Sequence, residues 1–229
     1  MNRKNLPIAL ALDTGSEKKA REWIDFFSDW VGCFKVGPIL FNNWPGVVDY
    51  IKSKQKMVFL DLKLHDIPNT VFLAVKSLSK RDVDFITIHM SGGRDMVKAA
   101  VEGGDGILDP IGVGVLTSIS SEDWNSFSGK SIKNSFDQML SWSWDSGLRN
   151  FVSSGSEIEF IKTNFPKCSL WVPGVRFSGD VLDDQKRITT PQKAIRKGAD
   201  WLVIGRALLG VPQKEAVQKM KIFERESNV

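Results

Sequence analysis

Charged residues interrupt the apolar run VFLDLKLHD, which begins at Val58. Asp61 and Lys63 lie inside this run, and Asp66 is its last residue. Because side chains alternate along a strand, Asp61 and Lys63 are predicted to share one side. Lys35 interrupts an earlier apolar run and would complete a Lys-Asp-Lys cluster. Burying such charges costs several kcal/mol per ion unless they are well paired. Charges gathered in this way are hard to explain as structure alone and therefore indicate a functional site, with a purely structural ion pair as the alternative.

Glycine and arginine occur together after two late apolar runs. One run is followed by Pro173-Gly-Val-Arg176, and the last run is followed by Gly205-Arg206. Glycine allows a phosphate to approach the backbone closely, and arginine supplies a forked donor. These two turns are therefore predicted to hold a phosphate group. Ordinary glycine turns carrying a surface arginine are the alternative.

Other polar residues lie at the ends of apolar runs, where they could contribute to a binding site. Asp13 ends the first run, and Thr117 and Ser120 follow the fifth, where their hydroxyls could bind a polar ring. His65 and His89 also lie near the ends of such runs. For these two histidines a hydrogen-bonded structural role is expected rather than acid–base catalysis.

Eight short β-rich runs alternate with segments of helical periodicity and are predicted to be parallel strands, since parallel pairs need crossover helices. Eight such units predict an α/β protein with a TIM (β/α)8 barrel, one domain over residues 1–229, whose site lies at the carboxyl ends of the strands. A doubly wound open sheet is the second choice. The predicted strands are Ile8–Leu12, Phe34–Val36, Met57–Leu62, Phe85–His89, Gly112–Leu116, Asn150–Val152, Ser169–Val172 and Trp201–Ile204.

The composition excludes several classes of protein. The chain has 229 residues, of which 42% are hydrophobic and 25% charged, so it is not intrinsically disordered. A net charge of +4 without a basic block indicates a mixed surface. Two cysteines and two histidines cannot form a multi-histidine zinc site, so any metal would need carboxylate ligands. The amino-terminal apolar stretch is interpreted as a strand and no membrane span is expected, which predicts a cytoplasmic protein.

Taken in order, these motifs resemble those of the orotidine 5'-monophosphate decarboxylases, from about Leu10 to Leu208. The Asp-x-Lys-x-x-Asp motif followed by IPNT is the most specific of them. The matching segments are FKVG, DLKLHDIPNTV, IHMSGG, GVLTS, VPGVRFSGD and ITTPQKAIRKGADWLVIGRAL.

The resemblance implies a reaction and the residues that perform it. Orotidine 5'-monophosphate would be decarboxylated to UMP without a cofactor or metal, as the last step of UMP synthesis. Lys35, Asp61, Lys63 and Asp66 would form the charged catalytic network. Lys63 would stabilise the carbanion at C6 and then protonate it.

The resemblance also implies how the substrate is held. Asp66 would reach into the partner subunit's site with Ile67 and Thr70, which implies a homodimer. Asp13 and Lys35 would bind the ribose, Ser120 the pyrimidine, and Arg206 with the Gly205 amide the phosphate. The remaining substrate-binding residues would be Thr117, Pro173, Arg176 and Ser178.

One position departs from the family pattern. Ser178 stands where the lid motif usually carries a glutamine that bridges phosphate and pyrimidine. A serine is too short to span that gap directly, so weaker lid closure or a water bridge is expected.

Two alternatives to this function remain open. The related magnesium-dependent group of 3-keto-gulonate-phosphate decarboxylases and hexulose-phosphate synthases carries a metal-binding glutamate where Lys35 stands, and a lysine there repels a divalent cation. A non-catalytic barrel that binds RNA is the other alternative, but the basic residues are scattered and no aromatic-rich RNA motif occurs. The resemblance therefore implies no nucleic-acid partner.

Overall fold

The structure is a computed structural model that describes residues 5–177 and 189–227. Its strands are β1 Leu6–Ala11, β2 Val31–Val36, β3 Met57–Leu64, β4 Phe85–His89, β5 Asp109–Val113, β6 Asn150–Val152, β7 Ser169–Val172 and β8 Trp201–Ile204. The helices are α1 Glu17–Phe27, α2 Pro38–Asn43, α3 Val47–Ser53, α4 Pro68–Ser79, α5 Arg94–Gly104, α6 Ser121–Ser128, α7 Ile132–Asp145, α8 Ile158–Asn164, α9 Pro191–Arg196, α10 Arg206–Leu209 and α11 Gln213–Ser227, with a 3-10 helix at Met90–Gly92.

The eight strands follow one another in chain order around a closed barrel. Neighbouring strands are parallel: Lys35 of β2 lies opposite Ala11 of β1 and Phe59 of β3, and β1 also pairs with β8. A closed barrel of eight parallel strands in chain order, connected by helices, is the topology of a TIM barrel. The predicted fold class is therefore confirmed.

The chain divides into two compact units, one comprising residues 1–61 and 152–229 and the other residues 62–151. In the first unit, Ile8, Leu10, Phe34 and Trp171 are fully buried. In the second, helices α4 and α5 pack against each other, and Ile86 and Ile88 of β4 are fully buried. Each unit therefore has apolar strand residues in its interior. The single domain over residues 1–229 stays a prediction.

Strands β4, β6, β7 and β8 begin and end at the predicted residues. Strands β1 and β2 begin earlier than predicted, and β3 continues to Leu64. The prediction for the fifth strand was wrong, because β5 runs over Asp109–Val113 and not over Gly112–Leu116.

Two local features explain why the sequence pattern placed the fifth strand too far along the chain. Pro110 lies inside the strand opposite Ile86, although proline lacks an amide donor and Asp-Pro is typical of a turn. Gly114 lies after the strand, where an added Cβ would come within 2.6 Å of the Phe136 ring. The apolar Val-Leu pair that follows Gly114 extended the pattern beyond the true strand end.

Helices α1, α6, α7 and α9 each follow a serine or threonine whose side chain accepts a backbone hydrogen bond. The Thr190 side chain accepts a hydrogen bond from the Lys193 amide, and Pro191 occupies the first turn of α9.

Among the described residues, no helix combines the length and apolar character needed to cross a membrane.

Candidate active site

A chain of three charged side chains lies near the carboxyl ends of β1, β2 and β3. The Lys35 ammonium lies 3.1 Å from Asp13 Oδ1 and 3.2 Å from Asp61 Oδ2, and it donates a hydrogen bond to each. The Lys35 side chain is 11% exposed and that of Asp61 is 16% exposed, whereas Asp13 is 65% exposed. The structure therefore places three of the predicted site residues together, with a buried ammonium between two carboxylates.

The carboxylates determine the charge state of Lys35. Burial alone would lower the pKa of its ammonium, because charge is disfavoured away from water. The charges of Asp61 and Asp13, and the hydrogen bonds to them, more than offset this effect. The pKa of Lys35 is consequently raised above its ordinary value. Lys35 is therefore a fixed positive charge at neutral pH.

The turn between β8 and α10 approaches Asp13. A Cβ added to Gly205 would lie 3.4 Å from Asp13 Oδ2 and 3.4 Å from the Ala11 side chain, so the two segments are direct neighbours. Arg206 follows directly and is exposed at the start of α10. Within this unit, the predicted phosphate residues thus lie beside the predicted ribose residue.

The other predicted phosphate turn follows β7. Arg176 is 9% exposed, and its Nη1 donates to the Val175 carbonyl at 3.0 Å. Its amide donates to the Thr189 carbonyl at 3.0 Å, while Pro173 is half-buried. Arg176 is therefore less accessible than the surface arginine of an ordinary turn. Ser178, which stands in place of the family's usual glutamine and is expected to weaken lid closure, lies outside the described residues.

Lys63 lies near the end of β3 in the left-handed region of the backbone, with φ +51°. Its amide donates to Thr87 Oγ1 at 2.8 Å. Strand alternation assumes an extended backbone, so the predicted shared side of Asp61 and Lys63 does not follow from it. A non-glycine residue in this region costs roughly 1–3 kcal/mol and persists only where its surroundings hold it.

Sequence reasoning missed Thr87, which is 1% exposed in the middle of β4. The only signal was one hydroxyl within the otherwise apolar run FITI. Threonine is common in strands, so this signal did not distinguish a functional residue from a structural one.

The two histidines of the chain lie next to each other in the second unit. The ring centroids of His65 and His89 are 5.4 Å apart, with 41° between the ring planes. A Cβ added to Gly92 would lie 3.2 Å from His65 Cδ2, so the ring also lies against the 3-10 helix. This ring contact is compatible with a structural role for the two histidines, and that role stays a prediction.

Asp66, Ile67 and Thr70 lie in an exposed stretch at the start of α4. The Asp66 Oδ1 atom accepts the amide hydrogen of Ile67 at 2.7 Å, and the side chain of Ile67 is among the exposed large hydrophobic ones, at 67%. An acid and an apolar side chain are thus displayed together at the surface of this unit.

Ser120 caps helix α6. Its Oγ accepts from the Asp123 amide at 3.0 Å and donates to Asp123 Oδ2 at 2.8 Å. Thr117 is exposed in the loop before this helix. Ser120 would have to exchange its bond to the Asp123 carboxylate in order to donate to a pyrimidine.

A parallel α/β barrel with ion-paired carboxylates and a lysine toward the carboxyl ends of its strands defines the class of TIM-barrel enzymes. Residues 6–220 match the model of the family described as "Orotidine 5'-phosphate decarboxylase / HUMPS family".

Individual relatives agree with this match. The chain is 37% identical to the orotidine 5'-phosphate decarboxylase of Carboxydothermus hydrogenoformans, covering 96% of this chain and 95% of that protein. It is 38% identical to the enzyme of the same name from Oenococcus oeni, covering 96% and 98%. The crystal structure of orotidine 5'-phosphate decarboxylase from Lactobacillus acidophilus superimposes with a TM-score of 0.81 at 26% identity, covering 97% of this chain and 99% of that one. The chain therefore belongs to the orotidine 5'-phosphate decarboxylase / HUMPS family.

Proposed function

We propose that this protein decarboxylates orotidine 5'-monophosphate to UMP and CO2 without a cofactor, as the last step of de novo pyrimidine synthesis. The observation that carries the proposal is the Lys35 ammonium held between Asp13 and Asp61. In the magnesium-dependent relatives a glutamate ligand would stand at position 35. A buried lysine puts a positive charge beside these carboxylates, where it repels a divalent cation.

The chemistry requires charge stabilisation and a proton. Loss of CO2 leaves an electron pair on C6 in an sp² orbital that cannot delocalise into the pyrimidine ring. In this proposal the Lys63 ammonium stabilises that charge and then transfers a proton to C6. Asp61 faces the departing carboxylate, and Lys35 and Asp66 hold the network in place. The electron pair of the broken C–C bond thus ends in the new C–H bond.

The rest of the substrate supplies binding energy. Asp13 and Lys35 bind the ribose, and the Gly205 amide with Arg206 binds the phosphate. Thr117 and Ser120 bind the pyrimidine, while Pro173, Arg176 and Ser178 complete the contacts. The close approach of Gly205 to Asp13 supports this order, because ribose and phosphate are adjacent groups of one nucleotide. Binding of the distant phosphate can be used to assemble the site.

The active form in this proposal is a homodimer of single-domain subunits in the cytoplasm. Asp66, Ile67 and Thr70 of each subunit serve the partner subunit's site. Their exposure at the start of α4 supports this role, because it leaves their side chains accessible to a partner subunit. No nucleic acid or membrane is required.

The test is an ultraviolet assay of orotidine 5'-monophosphate loss in buffer containing EDTA. Full turnover is expected, with UMP as the product identified by chromatography. A protein that turns over only after magnesium is restored, or that accepts a keto-sugar phosphate instead, would contradict the proposal. RNA binding with steep salt dependence and no decarboxylation would favour the non-catalytic alternative.

A further inference from the structure

We infer that Thr87 is a positioning residue for Lys63, acting through the Lys63 amide and not through contact with the substrate. The inference rests on the proposed function, since it concerns the lysine to which that function assigns the proton transfer. Thr87 Oγ1 accepts the Lys63 N–H at 2.8 Å from the centre of β4.

The Lys63 backbone requires such support. With φ at +51° the residue has left the extended conformation that the strand before it adopts. The Cβ of an L-residue is crowded there, so an unsupported chain would return to an extended geometry. That change would redirect the lysine side chain, because side-chain direction follows φ and ψ.

Thr87 is placed to supply this support rigidly. Its residue exposure is 1%, and its neighbours Ile86 and Ile88 are fully buried, so the strand holds it in place. A β-branched side chain also has few rotamers, which fixes the direction of its hydroxyl oxygen. The acceptor of the Lys63 amide is therefore preorganised.

A second contact holds the same stretch of chain two residues further on. The His65 ring lies on His89, at the end of the strand that carries Thr87, and against Gly92. The segment that presents Lys63 is thus attached to β4 and its following turn at both Lys63 and His65. The hydroxyl of Thr87 is an attachment that acts directly on Lys63.

The decisive comparison is Thr87→Val against Thr87→Ser in the full-length protein. Valine keeps the shape and removes the hydroxyl, whereas serine keeps the hydroxyl. Thr87→Val is expected to lower kcat by about 10- to 100-fold with KM changed less than about threefold, because the lysine is misplaced and the substrate contacts remain. Thr87→Ser is expected to keep kcat within about threefold of the wild type.

The control variant is Ser143→Ala in α7, which removes a fully buried hydroxyl that has no hydrogen-bond partner among the described residues. Its kcat is expected to equal that of the wild type. An unchanged kcat in Thr87→Val, or an equal loss in Thr87→Val and Thr87→Ser, would overturn the inference, the latter because serine keeps the hydroxyl and the loss would then not follow the hydrogen bond to Lys63.

Hydrogen exchange of the Lys63 amide tests the same bond in the wild type without any substrate or variant. Slow exchange is expected, and exchange as fast as that of an exposed loop amide would contradict the inference. A wild-type protein that shows slow exchange but no decarboxylation would instead remove the proposed function. The two failures are therefore distinguishable.

Discussion

Lys35 Nζ lies 3.2 Å from Asp61 Oδ2, and the Lys35 side chain is only 11% exposed. The same nitrogen lies 3.1 Å from Asp13 Oδ1, so one ammonium pairs with a carboxylate on β3 and with another just after β1. The removal of Lys35 is therefore expected to affect both activity and stability, because it takes a positive charge away from Asp61 in a place that is largely shielded from water.

Replacing Lys35 by methionine is expected to lower kcat/KM by about 100- to 1,000-fold, since it removes a preorganised charge from the site. The free energy of unfolding is expected to fall by about 2 kcal/mol, less than for a fully buried pair because Asp13 is exposed. Steady-state kinetics and urea unfolding provide the two measurements. Lys162→Met is the matched control, since Lys162 forms a 2.7 Å ion pair with Asp200 outside the proposed site. Equal activity losses in both variants would refute a specific role for Lys35.

The raised pKa of Lys35 predicts a pH dependence of stability. A lysine with a raised pKa stabilises the fold fully below the pKa of the unfolded chain, roughly 10.4, and this contribution is lost as pH rises through the higher folded pKa. The difference in unfolding free energy between the wild type and Lys35→Met should therefore be constant from about pH 7 to pH 10 and narrow above that. Urea unfolding at each pH measures it, with Lys98→Met on α5 as an exposed comparison. A difference that widens above pH 10 would show that the sign is wrong.

The sequence predicted those features of the fold that depend on local pattern. Strands β4, β6, β7 and β8 have the predicted bounds, because each is a short apolar run with clear ends. Asp13, Lys35 and Asp61 come together because parallel neighbouring strands bring their carboxyl ends to one place. Local pattern failed at β5, where Pro110 concealed the beginning of the strand.

The conformation of Lys63 was not predictable from residue type. Lysine rarely adopts positive φ, and nothing in LDLKL indicates that the extended backbone ends there. Thr87 Oγ1, which accepts the Lys63 amide hydrogen, lies 24 positions along the chain, so this hydrogen bond depends on tertiary structure. Residue roles drawn from motif resemblance therefore carry no information about the backbone geometry that supports them.

The positive φ of Lys63 predicts that a non-glycine residue at this position lowers the free energy of unfolding. Lys63→Ala and Lys63→Gly should both abolish decarboxylation, but the glycine variant should be more stable by about 0.5–1 kcal/mol, because glycine adopts this conformation without a Cβ clash. Urea unfolding measures the difference. At Lys98 inside α5 the order should reverse, with alanine more stable than glycine by about 1 kcal/mol. Substantial turnover in Lys63→Ala would refute the catalytic role, and alanine above glycine at position 63 would refute the backbone argument.

Arg206 is predicted to act through the phosphate of the substrate. Arg206→Ala should lower kcat/KM for orotidine 5'-monophosphate by about 10- to 100-fold, which is the effect of losing one charge-assisted hydrogen-bond pair. Turnover of orotidine, which has no phosphate, should be unchanged in the same variant. Arg94→Ala, at an exposed arginine on α5, serves as the control. An equal loss with both substrates would place Arg206 in the structure of the site and not in phosphate binding.

Asp66 is predicted to work in the partner subunit's site, and mixing two inactive proteins tests this directly. Lys63→Ala and Asp66→Ala should each be inactive as pure dimers. After unfolding and joint refolding in equal amounts, half of the dimers carry one of each chain, and one of their two sites combines an intact Lys63 with an intact Asp66. About a quarter of the wild-type activity should therefore return, as expected for a two-fold symmetric dimer. Ile67→Asp should give monomers by light scattering, while Ile107→Asp, at an isoleucine of 64% exposure, should remain dimeric. If mixing restored no activity although both variants formed dimers, Asp66 would act within its own subunit.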